Sequence, residues 1–254
     1  MQGITLCSGQ LVPVTYRGFL WRPDEFHAFV PVGSYTSPRI ACRYACCGVG
    51  IEYVVLASAP PRRPFLAGSQ PFAATAVLKP SVGEFGSGFA LEFYDPLHTT
   101  TTDTGLPLAR DFTAPLAYAA IQEGDSWLEG FLQPDSDPAA EGLRMSQPFQ
   151  PGKIPVVLVH GLASSPVTWS NLENDLRAQP AIMARYQFWY FRYDTGDPFL
   201  SSAALLRRQL AELRATYDPA RVDGSLSRMV LVGHSLGGLV SKLQITYSGD
   251  DIWN

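Results

Sequence analysis

A Gly-His-Ser-Leu-Gly sequence at residues 233–237 has the spacing of a serine nucleophile held on a tight turn. An apolar run precedes it and an apolar stretch of helical spacing follows it from Leu236. Gly233 and Gly237, two residues on either side of Ser235, allow neighbouring backbone to pass where a side chain would clash. The motif predicts Ser235 as the nucleophile of an acyl transfer. A chance match would not bring strand, motif and helix together.

A second motif, His160-Gly161-Leu162, follows the apolar run at residues 154–159. The tetrahedral oxyanion of acyl transfer needs two donors, one after the nucleophile and one in an earlier loop. The backbone N–H groups of Leu236 and Leu162 fit these two places, and the start of the helix favours negative charge beside the serine. We expect His160 to order its loop rather than to act as general base. His234, beside the nucleophile, is expected to point away from it.

Strands and helices are predicted to alternate after residue 153. Each of the two motifs directly follows one of these strands, so the strands would position them. Strands are predicted at residues 154–159, 187–193 and 228–232, and helices at residues 168–178, 201–217 and from 236 to about 247. The first strand is continuously apolar, as in a strand buried on both faces, and the first helix has helical spacing through Trp169, Leu172 and Leu176. Such alternation predicts parallel pairing with right-handed crossovers, so the fold class is α/β.

The region before residue 150 has a different composition. Most of the 21 prolines and 22 glycines of the chain lie in it and divide it into short segments. Residues 72–78 and 88–94 are predicted to form a β-hairpin, and residues 112–120 a helix. Residues 133–153 lack a steady period and indicate a connector rich in Pro and Gly. We therefore predict a β-rich region of unknown role at residues 1–150 and a second domain at residues 151–254.

The composition of the chain excludes some classes of binding partner. The net charge is −4 and the basic residues are scattered, so no nucleic-acid partner is expected. No apolar run approaches the roughly 20 residues of a membrane span. The first residues lack the basic and apolar regions of a secretory signal, and the sequence leaves the cellular compartment open.

The four cysteines all lie in the first fifth of the chain, at Cys7, Cys42, Cys46 and Cys47. They are compatible with disulfides or with reduced, buried thiols. The nearby His27 lacks the paired spacing of a zinc module, so we expect no metal site.

Residues 156–162 and 230–238, which contain the two motifs, resemble the α/β-hydrolase superfamily. They are most similar to its lipase and esterase members, including the group related to the enzyme that deacylates glycolipid anchors. The resemblance covers residues 153–254 and implies a doubly wound parallel sheet, preceded here by the β-rich region. It also implies a serine hydrolase that acts on a small-molecule or lipid ester through an acyl-enzyme at Ser235, with Leu162 and Leu236 as oxyanion donors and no cofactor.

The resemblance further implies a carboxylic acid and a histidine base that follow the nucleophile in chain order. No histidine follows His234, and the late carboxylates Asp250 and Asp251 come before any further strand. His27 and His98 lie upstream, and their use as base would need an unprecedented route to the site. We therefore expect the triad acid and base to be missing from this chain, whose second domain would be the N-terminal half of a hydrolase domain.

Two alternatives remain open. The same residues would serve an acyltransferase or a thioesterase, which differ only in the pocket. The missing acid and base also allow a non-catalytic binding or interaction protein that retains a hydrolase-like half-domain. The oligomeric state is not predicted.

Overall fold

The computed structural model describes residues 3–5, 7, 11–34, 40–58, 65–66, 69–83, 86–123 and 141–246. The chain forms two compact units. The first comprises Met1–Arg62 and Gly68–Ile121, and the second comprises Arg63–Ala67 and Gln122–Asn254.

The first unit is built on a six-stranded sheet of order β1-β2-β7-β6-β5-β3, in which only the β2–β7 pair is parallel. Its strands are β1 (Gly3–Thr5), β2 (Leu11–Arg17), β3 (Phe26–Pro31), β5 (Ile51–Ser58), β6 (Ser69–Gly83) and β7 (Gly86–Tyr94). Two short strands, β4 (Ala45–Cys46) and β8 (Arg110–Asp111), pair with each other. The antiparallel pairing of β6 with β7 confirms the predicted hairpin.

One helix, α1 (Ala114–Glu123), covers part of this sheet. Its residues Ala114 and Tyr118 pack with Val32 and Val54. The helix begins two residues later than predicted, because the buried Asp111 carboxylate accepts the N–H groups of Thr113 and Ala114 and so caps its first turn. The predicted helix is thus confirmed with a shifted start.

The second unit contains a four-stranded sheet of order β12-β10-β11-β9. Its strands are β9 (Gly142–Met145), β10 (Ile154–Val159), β11 (Tyr186–Arg192) and β12 (Val230–Gly233). Strands β10, β11 and β12 are parallel, whereas β9 is antiparallel to β11. All six residues of β10 are buried, as its continuous apolar run predicted. The alternation of these strands with helices confirms the α/β class.

The helices of this unit are α2 (Ser170–Arg177), α3 (Pro180–Arg185), α4 (Phe199–Tyr217) and α5 (Leu236–Lys242), with 3-10 turns at Pro166–Trp169 and Leu226–Arg228. The first predicted helix is therefore divided between a 3-10 turn and α2. The last ends at Lys242, so its predicted extension over residues 243–246 is wrong, and residue 247 lies outside the described residues.

The predicted connector at residues 133–153 contains a strand, and its residues 133–140 lie outside the described residues. Gly142–Met145, inside the expected connector, form β9 and hydrogen-bond to β11. Leu143 and Met145 are fully buried. The strand has only four residues, which is too short for alternation to be visible in the sequence.

The order of the strands creates a switch point at β10. From β10 the chain passes through α2 and α3 to β11 on one side, and from β11 it passes through α4 to β12 on the other side. Right-handed crossovers in opposite directions place these connections on opposite faces of the sheet. The switch point lies at the carboxyl ends of β10 and β12, which is where α/β proteins bind ligands.

The four cysteine side chains are exposed, so the alternative of buried thiols is wrong. Within the described ranges, no three His, Cys, Asp or Glu side chains come together as a metal site. No helix among the described residues is long and apolar enough to cross a membrane.

Candidate functional site

Ser235 lies at the junction between β12 and α5, as the motif predicted. Its backbone has φ 54° and ψ −119°, a conformation that residues with a side chain rarely adopt. The turn is held by N–H bonds from Gly237 to the His234 carbonyl and from Gly238 to the Ser235 carbonyl, both 2.9 Å long. The side chain of Ser235 is exposed at the carboxyl end of the sheet. Strained backbone of this kind is concentrated at functional sites.

The glycines of the motif are required by close backbone contacts. A Cβ at Gly233 would clash with the backbone of Gly237 and Gly238, and a Cβ at Gly237 would clash with the carbonyl oxygens of Val159 and His160. A Cβ at Gly238 would meet only the Gly233 oxygen, at 3.7 Å. The turn and the start of α5 therefore depend on Gly233 and Gly237 but not on Gly238.

The loop after β10 lies directly against this turn. A Cβ at Gly161 would be 2.8 Å from His234 Nδ1 and 3.1 Å from Ser235 Cβ, so only glycine fits there without a shift. The His234 N–H also donates to the Val159 carbonyl over 3.1 Å. The structure thus brings together the two motifs, which are far apart in the sequence.

Two backbone N–H groups in these motifs remain available to a ligand. Leu236 is the first residue of α5, and its N–H has no acceptor within the helix. The N–H of Leu162 has no hydrogen-bond acceptor within the described part of the chain. The start of a helix also concentrates partial positive charge. The arrangement can therefore accept negative charge that develops beside Ser235 Oγ.

His160 is buried and its two ring nitrogens are both engaged. Nε2 accepts the N–H of Tyr193 over 3.3 Å, which leaves the proton on Nδ1, 3.1 Å from the Gly161 carbonyl oxygen. Burial lowers the pKa of His160 to about 4. The imidazole is therefore neutral at pH 7, and its bonds are directed to the loop rather than to Ser235.

His234 does not bond to Ser235. Its exposed ring lies 6.5 Å from the Trp169 ring in an edge-to-face arrangement. Within the described residues, Ser235 Oγ has no hydrogen-bond partner. The late carboxylates Asp250 and Asp251 lie outside the described residues.

The two upstream histidines have partners within the first unit. His27 lies 3.1 Å from Ser69 Oγ and 3.5 Å from Ser58 Oγ, and His98 lies 2.9 Å from the Asp95 carboxylate.

Two residues at this site, Tyr193 and Thr195, were missed by sequence reasoning. The Tyr193 hydroxyl donates to the His160 carbonyl over 2.9 Å, and Thr195 Oγ1 accepts the Ala163 N–H over 3.2 Å. Both follow β11, so they emerge at the same edge of the sheet as His160 and Ser235. Their position directly after a predicted parallel strand was the signal in the sequence that could have placed them at this site.

Comparison with known families gives one match. Residues 150–252 match the family model described as a PGAP1-like alpha/beta domain. Searches among curated proteins and among solved structures gave no match. The family match includes both motifs and confirms the resemblance noted from residues 156–162 and 230–238.

Proposed function

We propose that this chain carries the nucleophile of a serine ester hydrolase. Residues 150–252 match the PGAP1-like alpha/beta domain, a lipase- and esterase-like family of α/β hydrolases, and this match supports the proposal. The observation that carries the proposal is the juxtaposition of Ser235, exposed on strained backbone, with the two available N–H groups of Leu162 and Leu236. The ester is a carboxylic ester, and the intermediate is an acyl-enzyme on Ser235 Oγ.

In the proposed reaction, Ser235 Oγ attacks the ester carbonyl carbon and gives its proton to a base. The carbonyl oxygen becomes an oxyanion, which accepts hydrogen bonds from the N–H groups of Leu162 and Leu236. The carbon–oxygen bond to the alcohol then breaks, and the alcohol leaves with a proton. Water attacks the acyl-enzyme, releases the carboxylic acid and restores the Ser235 hydroxyl.

The proposal assigns no base among the described residues. His160 already bonds to Tyr193 and Gly161, and His234 faces Trp169. Loss of one oxyanion donor typically costs about 10²- to 10³-fold in rate, and an oxyanion hole with substrate binding alone retains roughly 10³- to 10⁴-fold catalysis. A residual rate of ester hydrolysis by this chain would therefore not by itself show a complete triad.

The surroundings of Ser235 favour an apolar acyl group. Leu162, beside the turn, is 54% exposed, and Leu239 on α5 is 51% exposed. Apolar side chains exposed near a site would contact a hydrocarbon chain that leaves water. Together with the family match, this supports a lipid ester as substrate, and the same residues would serve transfer of the acyl group to an acceptor other than water.

A fluorophosphonate probe tests the proposal, because its phosphorus reacts with an activated serine and leaves an adduct that mass spectrometry locates. We expect an adduct on Ser235 in the folded chain, none in Ser235→Ala, and no reaction in denatured chain. Ser227→Ala is the matched control, because Ser227 is an exposed serine that precedes the first residue of β12. Ser235 should be labelled normally in this variant. An unlabelled Ser235 in the folded chain would contradict the hydrolase proposal and favour a binding module.

A further inference from the structure

We propose that Tyr193 and Thr195 are positioning residues that hold the oxyanion loop, defined as residues 160–163, in the geometry that directs the Leu162 N–H toward the reacting carbonyl. This inference rests on the proposed function, because it gives the loop a role in the same reaction. Neither residue belongs to the two sequence motifs.

Tyr193 holds the beginning of the loop through three contacts with His160. Its hydroxyl donates to the His160 carbonyl over 2.9 Å, its N–H donates to His160 Nε2 over 3.3 Å, and its ring stacks on the imidazole at 4.5 Å. The ring of Tyr193 also stacks on Phe191 of β11 at 5.5 Å. Through Tyr193, the loop is therefore connected to Phe191, a buried residue of the sheet.

Thr195 holds the other end of the loop. Its Oγ1 accepts the Ala163 N–H over 3.2 Å, and Ala163 has a φ of 49°, in the left-handed region. A non-glycine residue stays in that region only when its surroundings fix it. The hydrogen bond to the buried Thr195 supplies such a constraint directly after Leu162.

The two contacts lie on either side of Leu162, whose own side chain is 54% exposed and adds little burial. An exposed loop attached at one end would rotate, and the direction of the Leu162 N–H would vary. An oxyanion donor is effective at about 2.7–3.1 Å from the charged oxygen, so loss of alignment weakens it steeply. Attachment at both ends sets this donor in place before substrate binds.

Substitutions can separate positioning from general stabilisation. Thr195→Val removes the acceptor while it preserves shape, Thr195→Ser keeps the hydroxyl, and Tyr193→Phe removes one hydroxyl but keeps the stacked ring. The matched control is Thr216→Val, because Thr216 is an exposed threonine on α4 whose hydroxyl bonds only to the Glu212 carbonyl. The structure gives this control residue no contact with the oxyanion loop.

The first measurement is the second-order rate of fluorophosphonate labelling at Ser235. We expect Thr195→Val and Tyr193→Phe each to slow labelling about 10-fold or more, a part of what a lost donor costs. Thr195→Ser should restore the rate to within about 3-fold, and Thr216→Val should leave it unchanged. Labelling of Thr195→Val at the wild-type rate, or failure of Thr195→Ser to restore it, would overturn the proposal.

The second measurement does not depend on reactivity. Native-state hydrogen exchange of the amides at residues 161–163 reports whether the loop is held, and the exchange of β10 reports global stability. Thr195→Val should increase loop exchange and leave β10 exchange unchanged, whereas Thr195→Ser should not. If wild-type Ser235 is unreactive, the proposed function fails, and the exchange data still decide whether Thr195 holds the loop. Unchanged loop exchange in Thr195→Val would overturn the inference.

Discussion

The Glu92 cluster of the first unit and the candidate site of the second unit differ in how their polar groups are bonded. In the first unit, the buried Glu92 carboxylate is bonded by Arg17, Lys79 and Tyr94, and Lys79 also contacts Asp103. In the second unit, the hydroxyl of Ser235 and the N–H of Leu162 have no partner within the described residues. Satisfied groups stabilise a fold, whereas groups left available on a fixed scaffold can interact with a ligand.

The pKa values express the same contrast. Burial by itself raises the pKa of Glu92, but hydrogen bonds from Lys79, Tyr94 and Arg17 lower it to about 2. In the second unit, burial lowers the pKa of His160 to about 4. One buried group is thus charged and fully paired, and the other is neutral and serves as a hydrogen-bonding centre for a loop. The first cluster is therefore satisfied within the fold, whereas the second orders the loop beside the proposed nucleophile.

The largest effect is expected when backbone contact at the site is broken. Gly237→Ala places a Cβ against the carbonyl oxygens of Val159 and His160, so α5 must move away from β10. We expect the second unit to lose about 4 kcal/mol of unfolding free energy, which is more than the roughly 1–3 kcal/mol of ordinary overpacking because the added Cβ meets backbone atoms. Gly238→Ala is the control, since its Cβ would meet only an oxygen at 3.7 Å, and it should cost less than about 1 kcal/mol.

Urea unfolding, followed by hydrogen exchange so that the units are resolved, measures both variants. The first unit should unfold alike in both proteins. Equal stability of the Gly237 and Gly238 variants would show that the contact between α5 and β10 does not hold the site.

Regular elements and backbone motifs could be predicted from the sequence. Continuous apolar runs predicted β10 and β11, and the glycine spacing located Ser235 at its turn, because these features depend on neighbours in the chain. The hairpin of β6 with β7 was predicted for the same reason. Local pattern was therefore sufficient for the main positions of the α/β unit.

Features that depend on distant partners were missed. The spacing of Trp169, Leu172 and Leu176 predicted an apolar face for α2, but Leu172 is 39% exposed while Glu173 is fully buried. Glu173 pairs with Arg177 at 2.5 Å, and Arg177 bonds to a serine that follows β9. This buried pair reaches a residue next to β9, a strand that the sequence did not reveal. The roles of Tyr193 and Thr195 were missed for the same physical reason.

Acid should lower the unfolding free energy of the two units in different pH ranges. The His160 pKa is about 4 in the folded chain and about 6.5 when unfolded, so the unfolded state binds more protons between these values. Stability of the second unit should therefore fall by about 3 kcal/mol as the pH decreases from 6.5 to 4. Glu92 has the same sign but a lower range, and its contribution is lost only as the pH decreases from 4.5 toward about 2.

The variants His160→Gln and Glu92→Gln isolate these contributions, since all other titrating groups are common to the proteins. Exchange-derived stability of each unit, corrected for the intrinsic pH dependence of exchange, is measured from pH 7 to pH 4. His160→Gln should remove the excess loss in the second unit over this range, and Glu92→Gln should leave that unit's profile unchanged. Parallel profiles for wild type and His160→Gln would mean that His160 is not buried in neutral form.

The smallest expected effect is a gain in stability at the nucleophile itself. Ser235 has φ 54° and ψ −119°, and such strain costs on the order of 1–3 kcal/mol. Ser235→Gly relieves it but also gains conformational freedom in the unfolded chain, so we expect a net stabilisation of about 1 kcal/mol. Ser235→Ala removes the same hydroxyl and keeps the Cβ, so it retains the strain and should leave stability within about 0.5 kcal/mol of wild type. Urea unfolding of the three proteins provides the measurement. If Ser235→Gly and Ser235→Ala have equal unfolding free energies, the turn at Ser235 is not strained. The contrast between the Glu92 cluster and a strained turn at the proposed nucleophile would then no longer hold.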